Sequence, residues 1–241
     1  MSISIWDNLP REIWEKILDS LDTHGLQQAQ NTCASWREIV LAYIMNGRLG
    51  NRALLLERLQ FVDNGLFHKR NICNTLSLRV TPKSVILIGV GVYGGTDEEL
   101  LDESLNITFD RTTTTVNVFE KATGNLVANQ KSIWSTKNAR RYARSQKPMP
   151  NTYPVFFGTP CLLTKGQAYL VEQSIQPTDV QNHFSGWPVT ILGAEIWTCH
   201  GDQGSQLIET VHQVQFEFME SERGRSCHSE GQMPYLLWWI L

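Results

Sequence analysis

The spacing of apolar residues changes partway along this chain, from roughly every fourth position before Gly65 to every second position after Asn71. A period near 3.6 belongs to a helix, and a period of two belongs to a strand with one buried face. Helices should therefore come first and a sheet afterwards, an α+β organisation. In the second part Leu76, Leu78 and Val80 alternate with more polar residues, as do Leu105, Ile107 and Phe109, then Val116 and Val118, then Val214, Phe216 and Phe218. Turn formers separate these segments at Thr123-Gly124-Asn125, Thr164-Lys165-Gly166 and Gly201 to Gly204. Short alternating segments broken by such turns predict an antiparallel β-sandwich or barrel. The closing run from Tyr235 to Leu241 is apolar on both sides, which predicts a strand buried in or between sheets.

In the first part, Leu9, Ile13, Ile17 and Leu21 recur every four residues with Leu18 beside them, forming one stripe on an amphipathic helix. Pro10 suits a first turn, where a missing N–H costs nothing. A second apolar stretch runs from Leu26 to Ala29, and a third places Cys33, Trp36, Ile39, Val40, Tyr43 and Ile44 at helical spacing. Units of about 40 residues bury too little surface to be stable alone without a staple, metal or partner. These helices carry no disulfide or metal pattern, so their apolar faces are expected to be completed by another protein. From Gly47 to Gly65, Leu49, Leu54 to Leu56, Leu59 and Phe61 read as a further, linking helix.

Leu9-Pro10, Glu12-Ile13, Ile17-Leu18, Leu21, Leu26, Cys33, Trp36-Arg37 and Val40 follow one another in a spacing that resembles the F-box family. The resemblance covers Leu9 to about Ile44. It implies a helical unit that interlocks with the SCF adaptor, the S-phase kinase-associated protein, and through it with the cullin scaffold of a ubiquitin ligase. The adaptor-binding residues it implies are Leu9, Pro10, Ile13, Ile17, Leu18, Leu21, Leu26 and Trp36.

Composition narrows the function classes further. The 241 residues are 41% hydrophobic and 19% charged with a net charge of −3, as in a folded globular chain. That balance gives no general electrostatic reason to bind nucleic acid or an anionic membrane. The opening residues have neither the basic start nor the apolar core of a secretory signal, and the seven residues from Tyr235 to Leu241 fall far short of the about 20 a spanning helix needs. Five cysteines, an odd number without regular spacing, fit a reducing compartment, the cytoplasm or the nucleus.

Several motifs invite a chemical reading that their context disfavours. Gly89-x-Gly91-x-x-Gly94 has the spacing of a dinucleotide-binding turn. That turn works through a following helix N-terminus, whereas Asp97, Glu98, Glu99, Asp102 and Glu103 follow here and would repel a phosphate. A strand bend permitted by glycine is the simpler reading. Cys199-His200 and Cys227-His228 lack the ligand spacing of a structural zinc unit, and no nucleophile elbow of the Gly-x-Ser-x-Gly type occurs. The expectation is a binding protein with no enzymatic activity, metal or cofactor.

A second resemblance lies in the β-rich part. Arg79-Val80, the segment Ile86 to Gly94, Val155 to Leu163 with the strand around Tyr169, Val214 to Phe218 and Gly231 to Pro234 together resemble the PHR domain. That domain is a β-sandwich found in large ubiquitin ligases and in adaptors of cullin ligases, where it docks partners or substrates. The resemblance covers about Asn71 to Leu241. Two segments stand outside it. The basic insertion from Lys137 to Lys147 holds Arg140, Arg141 and Tyr142 and no acid, so it reads as a solvated loop, as a contact for an acidic partner, or as a weak nuclear-import or RNA-contacting patch. His183 to Pro188 offers Phe184 and Trp187, which would be interface anchors if exposed and core residues if buried.

The organisation expected is a helical F-box unit over residues 1–46, a linker helix over 47–70 and a PHR-like sandwich over 71–241. The function expected is substrate recognition for an SCF-type ligase, with Arg140, Arg141, Tyr142, Phe184 and Trp187 as candidate target contacts. Two rivals are a scaffold that binds the adaptor without target turnover, and a glycan-binding receptor with Trp187 or Trp197 exposed on a concave face.

Overall fold

A computed structural model describes residues 9–57, 65–69, 72–93, 111–135, 152–177, 189–195, 207–219, 230–231, 233 and 235–241. Three helices open it: α1 (Arg11–Ser20), α2 (Thr23–Thr32) and α3 (Ala34–Met45). Thirteen strands follow among the described residues. The first seven are β1 (Leu54–Glu57), β2 (Gly65–Lys69), β3 (Ile72–Thr81), β4 (Val85–Tyr93), β5 (Arg111–Glu120), β6 (Leu126–Ser135) and β7 (Thr152–Leu163). The remainder are β8 (Ala168–Pro177), β9 (Val189–Glu195), β10 (Leu207–Val211), β11 (Val214–Met219), β12 (Glu230–Gly231) and β13 (Tyr235–Ile240). They form a four-stranded sheet in the order β1-β13-β4-β7, a six-stranded sheet in the order β10-β11-β3-β8-β5-β6 and a small sheet in the order β12-β9-β2. Every described pairing is antiparallel. The α+β class read from the sequence is the fold observed.

The four- and six-stranded sheets enclose the main core. Leu76, Leu78 and Val80 of β3, Val116 and Val118 of β5, and Val214, Phe216 and Phe218 of β11 meet Val85, Leu87, Val90, Leu236 and Trp238 from the opposing sheet. These are the alternating residues read from the sequence, buried because one face of each strand turns inward. The outer face of the four-stranded sheet is also apolar. Ile86 and Ile88 of β4 and Tyr235, Leu237 and Trp239 of β13 point away from the sandwich and pack against Leu18, Leu26, Val40, Tyr43, Ile44 and Leu49. The described helices and the two larger sheets thus form three layers, helices on sheet on sheet, and β13 is the strand buried on both faces that its sequence predicted.

Glycine explains how β4 fits there. A register shift separates Leu87 from Gly89 where β4 pairs with β7. A Cβ on Gly89 would lie 2.4 Å from the Val155 carbonyl oxygen, and one on Gly91 would lie 2.3 Å from the Tyr235 ring. Both glycines serve close packing in mid-strand, so they form no dinucleotide-binding turn; Gly94 and the acids from Asp97 to Glu103 lie outside the described residues.

Two expectations are corrected. The helix expected over 47–70 is replaced, among the described residues, by a 3-10 turn at Gly50–Arg52 followed by β1 and β2, while Leu59 and Phe61 lie outside the described residues. Leu54, Leu55 and Leu56 form a short apolar run that periodicity alone cannot assign, and the free edge of β13 pairs with it from Leu54 opposite Trp238 to Glu57 opposite Tyr235. Just past the end of α3 stands Gly47, whose φ of +73° disfavours other residues and whose N–H donates to the Ile44 carbonyl. Secondly, much of the helical apolar surface is completed by the chain's own sheet and does not await another protein.

Candidate functional site

The Pro10 carbonyl accepts the N–H groups of Ile13 and Trp14 at 3.0 and 3.3 Å, so α1 starts directly after Leu9-Pro10. Glu12 in its first turn suits the positive end of the helix dipole. α1 carries apolar residues on two sides. Trp14 and Leu18, one turn apart, are buried, and the Trp14 ring stands edge-on to Trp36 of α3 at 4.6 Å and 83°. Leu9, Ile13 and Ile17, also one turn apart, lie on the other side; Ile13 is 39% exposed and its two neighbours are half-buried. Pro10 beside them is exposed.

The eight residues expected to meet an adaptor therefore divide. Pro10 and Ile13 are exposed and Leu9 and Ile17 half-buried, forming one stripe that the chain's own core leaves partly open. Leu18 and Leu26 do not belong to it: at 1% and 0% exposure they are core residues of the helix–sheet layer. Leu21 and Trp36 are half-buried against that same layer. Periodicity placed Leu18 with the others because it reports that a residue is apolar, without reporting which of two neighbours covers it. Trp14, buried beside Leu18, belongs to the same interior face although it lies off the four-residue stripe.

Polar contacts fix the pose of α1. Arg48 reaches Glu15 at 2.9 Å and Asp19 at 2.8 Å, while the Tyr43 hydroxyl donates to Asp19 at 2.6 Å. Arg52 donates to the carbonyls of Leu18 and Leu21 at 2.7 and 2.9 Å, adding to the Leu21 N–H that donates to the Leu18 carbonyl at 3.3 Å where α1 ends. It also bonds the Tyr43 hydroxyl and sits over that ring. The hydrogen bond from Tyr43, with Arg48 and Arg52 nearby, holds the Asp19 carboxyl below its usual range; burial raises the Tyr43 hydroxyl above its own. At the next turn Asp22 caps α2 by accepting the Gly25 N–H at 2.7 Å, and the Thr23 hydroxyl donates to the Arg52 carbonyl. This titratable cluster spends its hydrogen bonds bracing α1, so its chemistry is structural.

The other candidate contacts, Arg140, Arg141, Tyr142, Phe184 and Trp187, lie outside the described residues, as do Trp197, the segment from Leu105 to Phe109, and both Cys-His pairs. Among the described residues no three His, Cys, Asp or Glu side chains are grouped to hold a metal ion, and no helix is long and apolar enough to cross a membrane. No curated protein matches the chain. Residues 6–43, which carry the open stripe and most of all three helices, match the F-box-like family model, so this helical segment is an F-box-like domain.

Proposed function

We propose that this chain is the target-recognition subunit of an SCF-type cullin ubiquitin ligase. F-box domains bind the SCF adaptor, and the open stripe of Leu9, Pro10, Ile13 and Ile17 within the matched segment is the observation that carries the reading. Covering such a stripe removes apolar surface from water, at about 25 cal/mol per Å² before association costs are subtracted. The β-sandwich, which resembles a PHR domain in sequence, holds the target; the ligase then modifies target lysines by proximity alone. The helices pack on the four-stranded sheet through a shared apolar layer that includes Leu26, Val40 and Trp239, which joins the adaptor-binding segment directly to the sandwich.

The test is affinity purification of the wild-type chain beside an Ile13→Asp, Ile17→Asp variant, with and without proteasome inhibition. Loss of adaptor and cullin with retention of other partners, and accumulation of those partners under inhibition, is the expected result. Retention of the adaptor by the variant refutes the docking stripe. Partners that fail to accumulate favour the scaffold that binds without turnover.

A further inference from the structure

α1 is a short helix that its own ends secure poorly. It has ten residues, and isolated helices below about 12–15 residues are marginal in water. Its N-cap, Pro10, makes no side-chain hydrogen bond, and its last turn holds no basic residue to meet the partial negative charge there. Trp14 and Leu18 are its buried side chains, so tertiary packing holds it through one face. Yet the stripe of Leu9, Ile13 and Ile17 exists only while α1 keeps these residues one turn apart.

Two arginines from outside the F-box-like segment supply what α1 lacks. Arg48 and Arg52 follow α3 and lie past residue 43, where the family match ends. One nitrogen of Arg52 donates to both the Leu18 and the Leu21 carbonyl. The rest of that guanidinium is fixed by the Leu49 carbonyl at 3.3 Å, the Arg48 carbonyl at 3.0 Å and the Tyr43 hydroxyl. Arg48 grips Glu15 and Asp19 in the second half of α1. Those two acids stand about 200° and 240° around the helix from Ile13. Arg48 therefore acts from the side away from the stripe, and Arg52 acts from the helix end.

We propose that Arg48 and Arg52 are positioning residues for adaptor docking, holding α1 in the helical state that displays the stripe without contacting the partner themselves. The adaptor half of this rests on the receptor reading above; the clamp on α1 does not. Where only a fraction of a chain is competent to bind, the apparent Kd rises by the inverse of that fraction. Loosening α1 therefore slows association, while the formed complex keeps its contacts and dissociates as before. The adaptor-binding unit of this chain accordingly extends to Arg52 and does not end at residue 43.

The experiment compares the full chain with its Arg48→Met, Arg52→Met and Arg52→Lys variants, by binding kinetics with purified adaptor and by amide hydrogen exchange. Arg52→Met is expected to weaken binding about tenfold, all of it in the association rate, and to speed exchange of α1 amides about tenfold while α2 and β13 keep their rates. Arg48→Met should do the same by about threefold. Arg52→Lys, whose ammonium keeps a charge and three donors, should restore most of the loss. Arg48 is exposed, so Arg48→Met decides the question if Arg52→Met fails to fold. Affinity and α1 exchange unchanged in the folded Met variants, exchange faster everywhere alike, or a loss that lies in the dissociation rate overturns the proposal. Wild type that captures no adaptor overturns the receptor reading alone, and the α1 exchange rates then decide the clamp.

Discussion

Truncating Leu26 and truncating Ile13 should have opposite consequences, although both occupy motif positions of the F-box-like segment. Leu26 is fully buried between the helices and the outer face of the four-stranded sheet. Leu26→Ala loses the transfer free energy of the removed carbons and leaves a cavity that stiff neighbours such as Trp239 and Ile88 fill only partly. Such changes cost about 2–5 kcal/mol, so about 3 kcal/mol is a reasonable centre, or about 6–12 °C in Tm for a chain of this size. Ile13 is 39% exposed, so Ile13→Ala leaves stability nearly unchanged. Full burial of such a side chain is worth about 3 kcal/mol, which leaves about 1 kcal/mol for a partner to capture, about fivefold in Kd for the adaptor. Thermal and urea unfolding of the full chain by circular dichroism checks the first number, and titration calorimetry with purified adaptor checks the second. Because β4 and β13 contribute to both apolar clusters, helical and β signals should be lost in one transition. A Leu26→Ala shift under about 1 kcal/mol, or helices that melt well before the strands, would refute the layered packing.

Other outcomes follow from single contacts. Trp239→Phe removes the indole donor from Gln30 and leaves a buried amide oxygen unpaired, costing about 1–3 kcal/mol; adding Gln30→Met should recover part of it, as measured by urea unfolding. Gly91→Ala would drive a Cβ into the Tyr235 ring and should destabilise by about 1–3 kcal/mol, less in a Tyr235→Leu background. Since the Asp19 carboxyl sits lower in the folded chain than in the unfolded one, its stabilisation is complete above the ordinary carboxylate range and is lost as pH falls through the folded value; Asp19→Asn should flatten that acid limb. Burial pushes the Cys161 thiol up to about 12 while Cys33 is exposed, so alkylation at pH 8 followed by peptide mass spectrometry should label Cys33 in the native chain and Cys161 only after unfolding.

Local pattern carried much of this protein. The alternation at Leu76 to Val80 and Val214 to Phe218, and the stripe from Leu9 through Ile17, are properties of neighbouring residues, and they specified strands, helices and the α+β class without any knowledge of the partner element. The double-sided greasiness of Tyr235 to Ile240 even required that something cover both faces of that strand. What covers each face is a long-range matter. The chain alone could not say that Trp239 meets Leu26 or that Leu54 to Leu56 pair with β13. An apolar run of three has the same signature as helix or strand until a free edge claims it. The division of the F-box-like stripe into Leu18 and Leu26 in the interior and Ile13 and Ile17 at the surface was decided by tertiary structure. Hydrophobicity fixes that a side chain leaves water, and only the packed neighbours fix whose surface it meets.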